Sequence, residues 1–108
     1  MIKNDSKLIE HFGYWPEFCD AKIKSFSNDS GVIKILIHYI DSDQSKSATI
    51  YLKFSDVSQV ELSELKSENV IDFLKISGNE PYEVVVEPCY GLGGTFKCST
   101  IEVCGVNA

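Results

Sequence analysis

Residues 32–54, VIKILIHYIDSDQSKSATIYLKF, decide the fold. Ile33, Ile35, Ile37 and Tyr39 recur at every second position of the first apolar run, and Ala48, Ile50, Leu52 and Phe54 do the same in the second. Period two belongs to strands, because successive side chains of an extended chain point to opposite faces. The other faces of the two runs differ. Val32, Lys34, Leu36, His38 and Ile40 are mixed, which suits a central strand with one dry face and one partly covered face. Thr49, Tyr51 and Lys53 give the second run the outer face of a half-buried antiparallel strand, and the polar stretch DSDQSKS joins the two.

Upstream, AKIKSF (21–26) reads as a strand and SNDSG (27–31) as the turn that follows it. NDSKLIEHF (4–12) places Leu8, Ile9 and Phe12 on one helical face, with Asn4, Asp5 or Ser6 available as N-cap and Gly13 as the stop. Between helix and strand lies GYWPEFCDA (13–21). Pro16 forces Trp15 toward an extended conformation. The aromatic residues Tyr14, Trp15 and Phe18 read as a plug at this junction, and Asp20 as a cap for backbone amides rather than as a base.

Downstream, DVSQVELSEL (56–65) is a weaker strand with Val60 and Leu62 on one face. SENVIDFLKIS (67–77) is ambiguous: Ser67–Val70 allows a helical turn with a strand through Phe73, Leu74 and Ile76 after it, and the apolar run is too short for periodicity to decide. YEVVVEP (82–88) places Tyr82, Val84 and Val86 on one face. In GTFKCSTIEVCGV (94–106), Phe96 and Cys98 share one parity while Ile101 and Val103 have the other, which predicts a bulge near Ser99 and Thr100. The resulting expectation is an α+β, mainly β fold: an antiparallel sheet or open barrel of about six to seven strands with a short N-terminal helix. The 108 residues are read as a single domain, 1–108, since one core suffices at this length.

The charge is unevenly distributed. Residues 1–55 hold seven acids and seven lysines, whereas residues 56–108 hold nine acids and three lysines, so the whole net charge of −6 falls in the second half. There is no arginine, the side chain best suited to bidentate phosphate recognition. An acidic chain repels nucleic acid and anionic membrane surfaces, so neither is expected as a partner; a basic partner suits it better, although charge alone is explained more simply by acids that solubilise an exposed face. VIKILIHYI, broken by Lys34 and His38, is too short to span a bilayer, and the N-terminus lacks the apolar core of a secretory signal, so a cytoplasmic location is expected.

No constellation of reactive residues stands out. Cys19, Cys89, Cys98 and Cys104 contain no C-x-x-C pair and match no zinc-ligand spacing, and in a reducing compartment they read as free, largely buried thiols. His11 and His38 have no spacing that ties them to a cysteine, so neither a metal nor a cofactor is expected. Cys19 as a nucleophile is disfavoured by Glu17 and Asp20 beside it, because reactive thiols need an electropositive setting. YGLGGT (90–95) resembles a phosphate loop only superficially: strand patterns lie on both sides, and a wide hairpin with glycine at positive φ is the better reading. Glu61, Glu64, Glu68 and Asp72 are read as a solvated or partner-facing acidic surface.

The order FGYWPEFCDAKI, a long apolar strand, VSQVEL, SENVI and YEVVVEPCYGLGGTFKCSTIEV resembles the immunity protein 50 family of bacterial polymorphic toxin systems, from about Phe12 to Val103. Trp15, Pro16, Phe18 and Asp20 carry the first part of the signature, and Gly94, Phe96 and Cys98 the last. The family pattern carries histidine where this chain has Cys19, so a ligand or catalytic role for that position is not carried over. The resemblance implies a non-enzymatic inhibitor that binds a cognate toxin domain; separately, no strand edge advertises pairing of two copies, so a monomer or weak homodimer is expected. The acidic second half suits a basic toxin such as a nuclease, with Glu61, Glu64, Glu68 and Asp72 as expected contact charges. The alternative from a different class is a small β-rich ligand-binding domain that uses the aromatic cluster as a pocket wall.

Overall fold

A computed structural model describes residues 2–108. The elements in chain order are β1 (Ile2–Lys3), α1 (Asp5–Phe12), β2 (Lys22–Asp29), β3 (Val32–Asp41), β4 (Lys46–Ser55), β5 (Ser58–Ser63), β6 (Asn69–Gly78), β7 (Tyr82–Tyr90), β8 (Gly93–Cys98) and β9 (Thr100–Asn107). The strands form one open sheet in the order β1-β9-β4-β3-β2-β6-β7-β8-β5. It is mainly β with one short helix, as the periodicity implied. Among the described residues the strand count is nine rather than six to seven, because a two-residue β1 runs parallel to β9 and the last segment splits into β8 and β9.

The hairpin over residues 32–55 is the backbone of the sheet. Its register runs without a break from Val32 opposite Ser55 to Asp41 opposite Lys46. Ile33, Ile35, Ile37, Ile50, Leu52 and Phe54 are fully buried along one face. The preceding hairpin is tighter than the sequence suggested. β2 continues to Asp29, and the turn is only Ser30 and Gly31, both at positive φ (52° and 78°), the geometry whose twist matches that of paired strands.

One corner folds the sheet over its core. β4 passes into β5 through Asp56 and Val57, while β8 passes into β9 at Ser99, and the two strands turn together: Ser58 lies opposite Lys97 and Ser55 opposite Thr100. The Ser99 N–H donates to the Ser55 carbonyl at 3.0 Å and holds the corner. The parity switch is therefore a break between two strands at Ser99, where a bulge had been expected. The irregularity within β9 comes later, at Cys104, between Val103 opposite Leu52 and Gly105 opposite Tyr51. Phe54 and Phe96 meet edge to face across the fold at 5.1 Å between centroids, both almost fully buried.

α1 lies against β9 and buries Leu8 and Phe12. Its N-cap, Asn4, makes no side-chain cap, so none of the three candidate residues performs that role, while Gly13 (φ 88°) closes the helix with an N–H to the Ile9 carbonyl. The carbonyls of the last turn are satisfied from the 32–55 hairpin: Lys46 Nζ donates to His11 O at 3.1 Å and Gln44 Nε2 to Phe12 O at 2.8 Å. The ambiguity over Ser67–Val70 is resolved toward the strand, with Asn69 beginning β6.

Candidate functional site

GYWPEFCDA fills a gap in the sheet. β2 and β6 pair only at Lys22 opposite Val70 and Ile23 opposite Asn69. Beyond that point the 17–21 segment takes over the edge of β6: the Ala21 carbonyl accepts from Ile71 N–H at 2.9 Å and the Glu17 carbonyl from Leu74 N–H at 2.7 Å. Pro16 and Phe18 are buried, and Trp15, half-buried, packs edge to face on Phe18. Phe18 in turn meets Tyr39 at 5.7 Å between centroids. A tight turn closes the segment, with Ala21 N–H donating to Phe18 O at 3.1 Å. Asp20 occupies the turn position that takes positive φ (60°). Its carboxylate is exposed and makes no hydrogen bond among the described residues, so Asp20 serves through its backbone conformation and not as the expected amide cap. Cys19 is exposed beside it.

The polar end of this clasp was not legible in the sequence. Asp41, only 8% exposed, accepts four hydrogen bonds. Tyr14 Oη and Gln44 Nε2 each reach its Oδ2 at 2.7 Å, and the backbone N–H groups of Asp43 and Gln44 reach Oδ1 at 3.1 and 3.3 Å. Because the Tyr14 proton goes to Asp41, the Tyr39 hydroxyl donates to Tyr14 at 2.8 Å. The hydrogen bonds from Tyr14 and then Gln44 hold the Asp41 carboxyl below the usual carboxylate range. Burial, followed by the bonds to Tyr39 and Asp41, raises the Tyr14 phenol well above its ordinary value. These groups border an open, largely polar depression, and Trp15 packs on Phe18 instead of walling it.

Asn69 is the second polar anchor that sequence reasoning missed. Its Oδ1 accepts from Lys66 N–H at 3.1 Å and from Leu92 N–H at 2.8 Å, and its Nδ2 donates to Lys66 O at 2.9 Å. One buried side chain thus ties the β5–β6 loop to the β7–β8 hairpin. Gly91 (φ 92°) leaves room for it, since a Cβ there would strike Asn69 Oδ1. Gly94 (φ 134°) is required for a similar reason, because a Cβ would collide with the backbone carbonyl of Glu61 on β5. YGLGGT is therefore the β7–β8 hairpin and its close approach to the neighbouring strand, with Phe96 and Cys98 buried beyond it.

The four candidate acids do not form one cluster. Glu61 and Glu64 line an open trough on the outer face of β5, β8 and β7, joined there by Glu87, which the sequence reading did not single out. Glu68 lies at the joint of β2 and β6 beside Lys22 and Lys24. Asp72 occupies an irregularity of β6, between Ile71 opposite Pro88 and Phe73 opposite Glu87. All four are exposed. The cysteines are free, with Cys98 buried and Cys19, Cys89 and Cys104 exposed, so three thiols lie on the surface where burial had been expected. Burial pushes the Cys98 thiol up to about 11. Among the described residues, no three His, Cys, Asp or Glu side chains converge to hold a metal ion, and no helix is long and apolar enough to cross a membrane.

The fold and its surfaces define a small mainly β protein with one contiguous core, an N-terminal segment clasped into its sheet and an acidic outer trough. The chain belongs to the Immunity protein 50 family, whose model matches residues 4–108. No curated protein and no solved structure matches it.

Proposed function

We propose that this protein is the immunity partner of a bacterial toxin domain and neutralises it by stoichiometric occlusion, acting as an inhibitor and not as an enzyme. Family membership over residues 4–108 is the observation that carries this reading. The net charge of −6 over residues 56–108, with Glu61 and Glu64 exposed on one trough, supports a basic toxin surface as the target. A basic nuclease domain acting in the cytoplasm of the producing cell is the partner class that this charge suits. Opposite charge speeds encounter and makes it salt-dependent, since exposed charges are screened beyond about 8–10 Å at physiological salt.

The test is co-expression with the toxin domain encoded beside this chain. Cells producing both should grow, and the purified proteins should form a complex of fixed stoichiometry. Glu61→Lys combined with Glu64→Lys should slow association and flatten its dependence on salt. Growth arrest despite abundant folded protein, with no complex detected, overturns the reading.

A further inference from the structure

The outer face of β8 carries two small residues, Thr95 and Gly93, and the Pro88 ring of β7 lies over Gly93. Glu61, Thr95 and Val85 form one cross-strand row over β5, β8 and β7, and the next position along β8 is Gly93, opposite Ser63. The resulting trough has a volume of about 270 Å³, walled by Glu61 and Glu64 on one side and by Glu87 and Pro88 on the other. It is open and lies below the roughly 300–1,000 Å³ of pockets that enclose small molecules. A side chain protruding from a partner protein fits it better than a free ligand.

One of its acids, Glu64, already holds a cation from the adjoining β5–β6 loop, outside the trough lining. Lys66 Nζ is 3.6 Å from a Glu64 carboxylate oxygen and 5.8 Å from the centroid of the Tyr90 ring. One ammonium group thus uses a carboxylate and an aromatic face together. Tyr90 is 56% exposed, so its ring is open to a partner. Exposed ion pairs of this kind contribute little to stability, so Lys66 is held loosely. The lysine of β8 itself, Lys97, lies opposite Glu83, further along the strand from Gly93 and the Glu64 end. Guanidinium stacks on an aromatic ring and pairs with a carboxylate more effectively than ammonium, and this chain has no arginine with which to fill the seat itself.

We propose that the trough over β8 is where the toxin domain docks, and that an arginine of the toxin displaces Lys66 from its place between Glu64 and Tyr90. The inference rests on the immunity reading and adds the docking face and the chemistry of the anchoring residue. Lys66 then acts as a placeholder that the correct partner evicts.

Two measurements test it. In the first, affinity for the neighbouring toxin domain is measured by calorimetry for the wild type, Tyr90→Ala and Lys66→Ala, all exposed positions whose melting temperatures verify folding. Tyr90→Ala should weaken binding at least tenfold, as truncation of an interface aromatic does, and Lys66→Ala should tighten it severalfold. Wild-type binding with both variants within twofold of it overturns the docking site while leaving the immunity reading intact; weaker binding by Lys66→Ala overturns the displacement. Absence of binding and of protection by the wild type overturns the immunity reading and this inference with it. In the second, N-acetyl-arginine amide is titrated while the Tyr90 ring resonances are followed by NMR. Shifts larger than those caused by the neutral isostere N-acetyl-citrulline amide, and larger still in Lys66→Ala, are expected; equal shifts from both compounds overturn the cation seat.

Discussion

The Tyr14 hydroxyl donates to the Asp41 carboxylate at 2.7 Å, joining the loop after α1 to the end of β3. This bond closes one end of the clasp that Pro16 and Phe18 secure by burial. Tyr14→Phe removes a donor and also the acceptor for Tyr39, and should cost about 1 kcal/mol. Chemical denaturation at neutral pH measures it through a lower midpoint at unchanged slope.

The same bond makes stability depend on pH in opposite directions at its two ends. The Asp41 carboxyl is depressed in the folded protein, so the unfolded chain binds the proton more readily. Its contribution is present above the unfolded value of about 4 and is lost as pH falls through the folded value. The Tyr14 phenol is raised, so its contribution is present below about pH 10 and is lost as pH rises beyond. Melting curves should show a wild-type advantage over Asp41→Asn that shrinks below about pH 4, and an alkaline decline above about pH 10 that Tyr14→Phe reduces.

Asp20 and Asn69 should respond in the reverse of their apparent chemistry. Asp20 is a charged signature residue whose carboxylate has no partner, so Asp20→Gly should be neutral or slightly stabilising at φ 60°, while Asp20→Val is destabilising. Asn69→Ala leaves the buried Leu92 N–H without its acceptor and should cost roughly 1–3 kcal/mol. Thermal melts of the three variants check the contrast.

Truncation across the fold should be far more costly. Phe96→Ala removes the ring that meets Phe54 between the two halves of the sheet, and about 3–5 kcal/mol is expected. Circular dichroism at 37 °C should show a large unfolded population.

Thiol reactivity should follow exposure. A maleimide reagent at pH 7 should modify Cys19 and Cys89 quickly and Cys98 only after denaturation, because Cys98 is 1% exposed and burial pushes its thiol up to about 11. Mass spectrometry of the native protein should find Cys98 unmodified.

Strand identity was legible wherever one face is buried. Ile33, Ile35, Ile37 and Ile50, Leu52, Phe54 announce their sheet face because period two is a local property, and the family signature around Trp15 and Pro16 is equally local. The points left open or misread have a common physical cause. Ser67–Val70 has too few apolar residues for periodicity to choose helix or strand, and the Asn69 side chain, bonded to Leu92, a partner 23 residues away, fixes the loop. The parity change at Ser99 is a local signal, but whether it marks a bulge or a corner depends on Ser55, which is distant in sequence.

The sequence by itself determined a mainly β chain, its first helix, its buried faces, its acidic second half and its family. Only the tertiary structure decided that Tyr14, Tyr39, Asp41 and Gln44 form one network and that Glu61 and Glu64 share a trough with Glu87 while Glu68 and Asp72 lie elsewhere. Side-chain periodicity is imposed by the geometry of a single strand. The company a polar group keeps is imposed by which strands become neighbours, and here that was set when the corner at Ser55 and Ser99 brought β8 against β5 and β9 against β4.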